Sequence, residues 1–303
     1  MNTEFWWFFD AVAIVILLVT VFLSGKRGFS KSIVTCIGCI VAVALSFPLS
    51  RQMGEIFYNS SISESNVKAL DKALEKNSVP DKMKTYIEGL GYSIRIDEDI
   101  FVDILTNEEK DVYDALYTYV NNINGRNVDE KSEFEEKLTE GFALTIGSIV
   151  KQELTAYEAE YAENFIRTEE GRALLEENMY KVCNPNTTVG AEYIEANFVA
   201  TGSKEFVRVM SFVILVFVIM IIVKIVEKLI HGEENPDRIN NELASHIAGG
   251  VLGVFEGLML IFVASACVRV NIILGSDNMM MFNSETIDKT IVFKYVYNLV
   301  LKI

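Results

Sequence analysis

The sequence predicts an all-α membrane protein, with four transmembrane helices in two hairpins and an α-helical extramembrane domain inserted between them. Half of the 303 residues are hydrophobic and the mean hydropathy is +0.26, yet 23% are charged and the net charge is −15. These properties are segregated along the chain. Residues 51–205 hold 31 acidic and 16 basic side chains, whereas the rest holds 11 of each. A single soluble domain does not divide its composition in this way.

Four apolar stretches are long enough to cross about 30 Å of hydrocarbon as helices of about 20 residues. They predict spans at about 5–24 and 33–50, within a first hairpin of residues 1–50, and at about 206–226 and 247–270, within a second hairpin of residues 206–270. The alternative of buried core helices needs a large soluble protein around them, and the chain is too short to provide one. Since no Lys or Arg precedes the first stretch, a retained helix is favoured over a cleaved signal peptide.

Basic residues predict the orientation. The first hairpin loop contains Lys26, Arg27 and Lys31, and the second contains Lys224, Lys228 and Arg238. Short cytoplasmic loops carry an excess of Lys and Arg, so both loops are expected in the cytoplasm. The N-terminus, residues 51–205 and the C-terminus are then extracytoplasmic.

Residues 51–205 form the predicted acidic helical domain. Apolar side chains recur there at helical spacing, as at Phe134, Leu138 and Phe142. We expect four to six helices, the last running from about Val189 unbroken into the third span. Only SIRIDEDI alternates as a strand does. The Glu-rich stretch DEKSEFEEKLTE is better explained as a solvated helix face than as a cation site, and no EF-hand spacing occurs.

Catalytic, metal and cofactor motifs are missing from the sequence. It contains no HExxH, P-loop, GxSxG or GxGxxG pattern, so we expect neither an enzyme nor a cofactor. Two histidines, His231 and His246, are too few for a His-rich metal motif. Cys183 is the one cysteine of the acidic block, so no disulfide forms within it. An acidic block also disfavours nucleic acid as a partner.

Two acidic residues fall inside predicted spans, where ionisable groups are costly and suggest function. Asp10 lies near the outer end of the first span. It either pairs with Arg208 or Arg269 or lies among the lipid headgroups. Glu256 lies about 15 Å into the fourth span at 1.5 Å per residue. It is either a structural pair with Lys224 or part of a proton or ion relay.

Gly249, Gly253 and Gly257 recur every four residues in the fourth span and therefore share one helix face. Such a face allows close approach of another helix backbone, in the same chain or in a second copy. The tail, residues 271–303, contains the stretch ETIDKTIVFKYVYNLVLKI. We expect an interfacial amphipathic helix there, because a lone strand at the membrane surface would leave its edge unpaired.

Two stretches resemble the colicin V production (CvpA) family of small bacterial multi-pass membrane proteins. The first, FDAVAIVILLVTVFLSGKRGFSKSIVTCIGCIVAVAL, matches the family's Asp in an apolar helix, basic-Gly-aromatic turn and second helix, through Asp10, Arg27, Gly28, Phe29 and Lys31. The second, HIAGGVLGVFEGLMLIF, matches its glycine helix through Gly249, Gly253 and Gly257.

The chain also departs from the family pattern. Ser245 and His246 stand where the family often has Asp-Arg, and Glu256 stands where it often has Arg. Residues 51–205 replace a short link. The resemblance implies a bacterial plasma (inner) membrane location and a part in colicin V-type toxin production or export.

Two functions of different kinds follow. The first is a scaffold or accessory factor for envelope integrity or secretion. Its partners would be the lipid bilayer and an envelope protein, or a homo-oligomer formed through the glycine face. The alternative is an oligomeric transporter or channel for a small solute or ion that uses Glu256.

Overall fold

The computed structural model describes residues 5–231, 243–275 and 282–302. The structure is 85% helical, and these residues contain no strand, which confirms the predicted all-α class. In chain order the helices are α1 (Trp7–Arg27), α2 (Phe29–Phe57), α3 (Ser63–Lys76), α4 (Val79–Glu88), α5 (Glu98–Thr106), α6 (Val112–Asn124), α7 (Lys131–Glu153), α8 (Ala156–Ile166), α9 (Glu169–Glu177), α10 (Met179–Val182), α11 (Thr187–Ile194), α12 (Ala200–His231), α13 (Leu243–Gly275), α14 (Ser284–Asp288) and α15 (Phe293–Val300).

The helices form two compact units. The membrane unit comprises Met1–Phe57 and Glu205–Ile303, and the acidic unit comprises Tyr58–Lys204. A π-helical turn stands at each end of the acidic unit, at Tyr58–Ile62 and at Glu195–Val199. The second turn joins α11 to α12 without a break, as predicted for a helix starting at about Val189.

Four helices are long and apolar enough to cross a membrane. The length and composition of these helices make the chain a multi-pass membrane protein. The distribution of side chains on α2 supports this reading. Its exposed positions carry large apolar residues, among them Ile37, Ile40, Leu45 and Leu49. Its buried positions carry small residues: Ser32, Thr35, Cys36, Gly38, Cys39, Ala42, Ser46, Ser50 and Gly54. An apolar exterior around a small, polar interior suits lipid as the surrounding solvent.

Helix α13 is the centre of the membrane unit. It packs along α1 and α2 and also contacts α15. Helix α12 joins it through the Phe212 and Phe262 rings, whose centroids are 5.7 Å apart. The tail residues that the structure describes after α13 include two short helices, α14 and α15, and no strand. Arg238 of the second basic loop lies outside the described residues.

The acidic unit contains nine helices, α3 to α11, and the prediction of four to six was wrong. Short polar side chains cap the starts of six of these helices. Each accepts a backbone N–H of the helix that follows: Ser78, Asp97, Asp111, Thr155, Thr168 and Asn186. Helix α7 lies at the centre, with Phe134, Leu138, Phe142 and Ile146 fully buried. The SIRIDEDI stretch is not a strand and leads into α5.

Candidate functional site

The turn between α1 and α2 is fastened to the start of α13. Gly28 has a φ of +76°, a conformation that favours glycine, and its N–H donates to the Ser24 carbonyl at 3.1 Å. The next residue, Phe29, donates its N–H to Ser245 Oγ at 3.1 Å. His246 Nδ1 lies 2.8 Å from the Gly25 carbonyl oxygen. Arg27 itself is exposed.

The glycine face of α13 is covered by α1. A Cβ atom at Gly249 would lie 2.5 Å from the Ser24 carbonyl oxygen, and one at Gly253 would lie 2.7 Å from the Thr20 carbonyl oxygen. A Cβ atom at Gly257 would lie 2.6 Å from Thr20 Oγ1. The close approach predicted from the glycine spacing therefore occurs within the chain. A homo-oligomer would have to use another surface, because α1 occupies this one.

Glu256 lies on the same side of α13, between Gly253 and Gly257, and is only 5% exposed. Ser24 Oγ donates to its Oε2 at 2.8 Å, and Ser32 Oγ donates to the Ser24 carbonyl at 2.8 Å. The other oxygen, Oε1, is buried without a hydrogen-bond partner. The predicted partner was wrong: Lys224 pairs with Glu227 at 2.7 Å, and Glu256 instead binds a serine of α1.

Asp10 does not pair with an arginine, which rules out the first of its two predicted alternatives. Its carboxylate accepts the backbone N–H groups of Ile291, Val292 and Phe293, at 2.7, 3.0 and 2.8 Å. These N–H groups lie at the start of α15, where a helix has unsatisfied donors and its dipole attracts an anion. Asp10 is 9% exposed, so it holds the tail to α1 from inside the membrane unit.

Arg269 has a different acidic partner. Its Nη2 donates to Glu205 Oε1 at 2.6 Å, and its Nη1 lies 3.4 Å from the Tyr297 hydroxyl. This group therefore joins α12, α13 and α15 within the membrane unit.

The acidic unit has a surface cavity of about 590 Å³ between α7 and α9, lined by Glu136, Thr139, Glu140, Arg167, Thr168, Glu169, Arg172, Ala173 and Glu176. Its two arginines are engaged. Arg167 binds both oxygens of Glu140, at 2.8 and 2.9 Å, and Arg172 lies over the Tyr113 ring, 5.7 Å from its centroid. The hydrogen bond from Arg167 lowers the pKa of Glu140. Burial, followed by the nearby Asp111, raises the pKa of Glu176.

A second polar cluster in the acidic unit was missed from the sequence. Two buried carboxylates hold it together. Glu195, in the π-helical turn, accepts from the Tyr58 hydroxyl, and Glu158 accepts from Ser203. Asn66 donates to Ser203 Oγ at 3.0 Å. The one available signal was Glu195 beside the apolar residues of the stretch AEYIEANFVA. Every oxygen of this cluster that is fully buried has a partner, so the cluster is structural.

The described residues contain no group of three or more His, Cys, Asp or Glu side chains placed to hold a metal ion. Fold and site define the class: a multi-pass α-helical membrane protein with one isolated carboxyl buried where α1 meets α13, and a separate acidic helical unit. Comparison with family models, curated proteins and solved structures finds no match to this chain.

Proposed function

We propose that the protein is a scaffold or accessory factor of the bacterial cell envelope, similar to the colicin V production family, whose acidic unit binds a protein partner outside the cytoplasm. The observation that carries this proposal is the division into two units. Residues 58–204 fold around their own hydrophobic core, with 29 acidic and 15 basic side chains. A membrane anchor that carries a separately packed charged domain is the arrangement of a protein that presents a surface to a partner.

The membrane unit supports the family resemblance. The two stretches that carry it are far apart in sequence, and in the structure they contact each other. Gly28 and Phe29 lie against Ser245, and Ser24 lies against Gly249. Ser245 and His246, where the chain departs from the family pattern, take part in this contact. Both side chains bind backbone groups of the α1–α2 turn.

The partner is expected to carry basic groups at its contact with the cavity between α7 and α9. Glu136 and Glu169 line this cavity and both are exposed. With both arginines of the cavity engaged by the protein's own groups, its free carboxylates favour a cationic segment.

A photo-crosslinking amino acid placed at Glu136 in the full chain tests this function in intact cells. We expect one discrete adduct with an envelope protein, lost when Glu169→Lys is added. A crosslinker at Glu109, exposed in the turn before α6 and outside the cavity lining, is the matched control. Equal adducts at the two positions, or an adduct unaffected by Glu169→Lys, would refute the proposal.

A further inference from the structure

Among the membrane unit's acidic residues that the structure describes, Glu256 has the least favourable surroundings. It follows Leu243, the first residue of α13, by 13 positions, which places it about 20 Å along the helix. Its Oε2 receives one hydrogen bond, from Ser24 at 2.8 Å. Its Oε1 is buried and has no hydrogen-bond partner. Asp10, by contrast, has both oxygens satisfied by backbone N–H groups.

No cation neutralises Glu256 within ion-pair distance among the described residues. The basic side chains whose charge acts on Glu256 are Arg27 and Lys224. Arg27 is exposed, and Lys224 is paired with Glu227. On α2, the buried thiols of Cys36 and Cys39 are close enough for the charge of Glu256 to act on them, and His246 on its own helix binds the Gly25 carbonyl.

An ionised carboxylate in these surroundings is expensive. Burial of a charge without a partner is strongly unfavourable, and burial of the neutral group costs much less. Gly253 and Gly257 place α13 in close contact with α1 next to this carboxyl group. A bound proton removes the charge without any rearrangement of the helices.

We propose that Glu256 and Ser24 form a proton-binding site in the membrane unit, with the proton carried on Oε1 and the Ser24 hydroxyl bonded to Oε2. On binding, a lone pair of Oε1 forms the new O–H bond, a hydronium ion gives up the proton, and water leaves. Release is the reverse step. The site is independent of the proposed scaffold function and concerns the residue on which the transport alternative depends.

Infrared spectroscopy of the full chain in lipid nanodiscs at neutral pH tests the site, because a neutral carboxylic acid and a carboxylate absorb at different frequencies. In the difference spectrum between the wild type and Glu256→Gln, we expect loss of one carboxylic-acid band. Glu55→Gln, an exposed acid of α2, is the control and should leave that band in place. Loss of carboxylate absorption instead of the acid band would overturn the proposal.

Ser24→Ala gives a second test that keeps the carboxyl group. Removal of the hydrogen bond to Oε2 should shift the carboxylic-acid band to higher frequency without abolishing it. If Glu256→Gln does not fold, this variant decides alone: a shifted band supports the site, and an unchanged spectrum overturns it.

Discussion

Asp10 Oδ1 accepts the backbone N–H of Phe293 at 2.8 Å, across 283 positions of the sequence. The neighbouring side chain strengthens the contact, since the rings of Phe9 and Phe293 stack with centroids 5.1 Å apart. An acid near the beginning of α1 thus serves as the N-terminal cap of α15, a role usually filled by a residue of the helix's own chain segment.

Asp10→Ala is expected to loosen the start of α15. Three amides lose a charged acceptor, and a hydrogen bond to a charged group contributes about 1.5–3 kcal/mol. Hydrogen exchange at Ile291, Val292 and Phe293 should therefore become about 10- to 100-fold faster, as measured by mass spectrometry on the full chain in nanodiscs. Glu285→Gln, on the exposed side of α14, is the control. Unchanged protection in Asp10→Ala would show that the Phe9–Phe293 packing alone holds the helix.

Gly253→Ala is expected to destabilise the membrane unit by about 1–3 kcal/mol, the usual range for overpacking. Its Cβ would lie 2.7 Å from both the Thr20 carbonyl oxygen and Val21 Cα, and backbone atoms cannot rotate away. Gly250→Ala is the matched control on the same helix, because its Cβ would meet nothing closer than 3.8 Å. Thermal unfolding in nanodiscs measures both variants. Equal unfolding temperatures for the two would contradict the observed α1–α13 contact.

Glu176→Gln is expected to stabilise the acidic unit at neutral pH. Burial raises the pKa of Glu176 in the folded state, so the wild type loses stability as the pH rises from the unfolded value of about 4.3 through the folded pKa. The uncharged variant avoids this loss. Because the side chain is partly exposed, the gain should not exceed about 1 kcal/mol, or about 2–4 °C in Tm.

The pH dependence distinguishes this effect from a change in packing. At about pH 3, well below the unfolded pKa, the acid is protonated in both states, and the wild type and Glu176→Gln should unfold at the same temperature. Glu170→Gln, an exposed acid of the same helix outside the cavity lining, should follow the wild type throughout. A gain that persists at low pH would point to packing instead.

The sequence was sufficient to predict the four spans, because the thickness of the hydrocarbon core sets a minimum length for every helix that crosses it. It was also sufficient to predict close helix packing at the glycine face, but not whether the partner helix lies in the same chain, as it does, or in a second copy. The serines of α2 have their explanation in the structure: Ser32, Ser46 and Ser50 are buried inside the bundle, so only the outer face of α2 needs to be apolar.

The partners of Asp10 and Glu256 were beyond sequence reasoning. Oppositely charged side chains are the first candidates when only the sequence is known, yet Asp10 binds backbone N–H groups and Glu256 binds a serine hydroxyl. Backbone donors are present at every position, so the sequence does not distinguish the ones that remain unpaired. The number of helices in the acidic unit could have been predicted better from the sequence, because Ser78, Asp97 and Thr168 are residues typical of helix starts.

The side of the membrane that the acidic unit occupies is best measured with a new cysteine. Cys183 is unsuitable, since it is buried and its burial raises the pKa of the thiol, which keeps it from reacting in the folded protein. Glu109→Cys places a thiol at an exposed turn of the acidic unit, and Lys26→Cys places one at the exposed end of α1. The basic hairpin loops predict that a membrane-impermeant maleimide labels Glu109→Cys in intact protoplasts, and Lys26→Cys only after permeabilisation. The opposite pattern would place the acidic unit in the cytoplasm and move the search for its partner inside the cell.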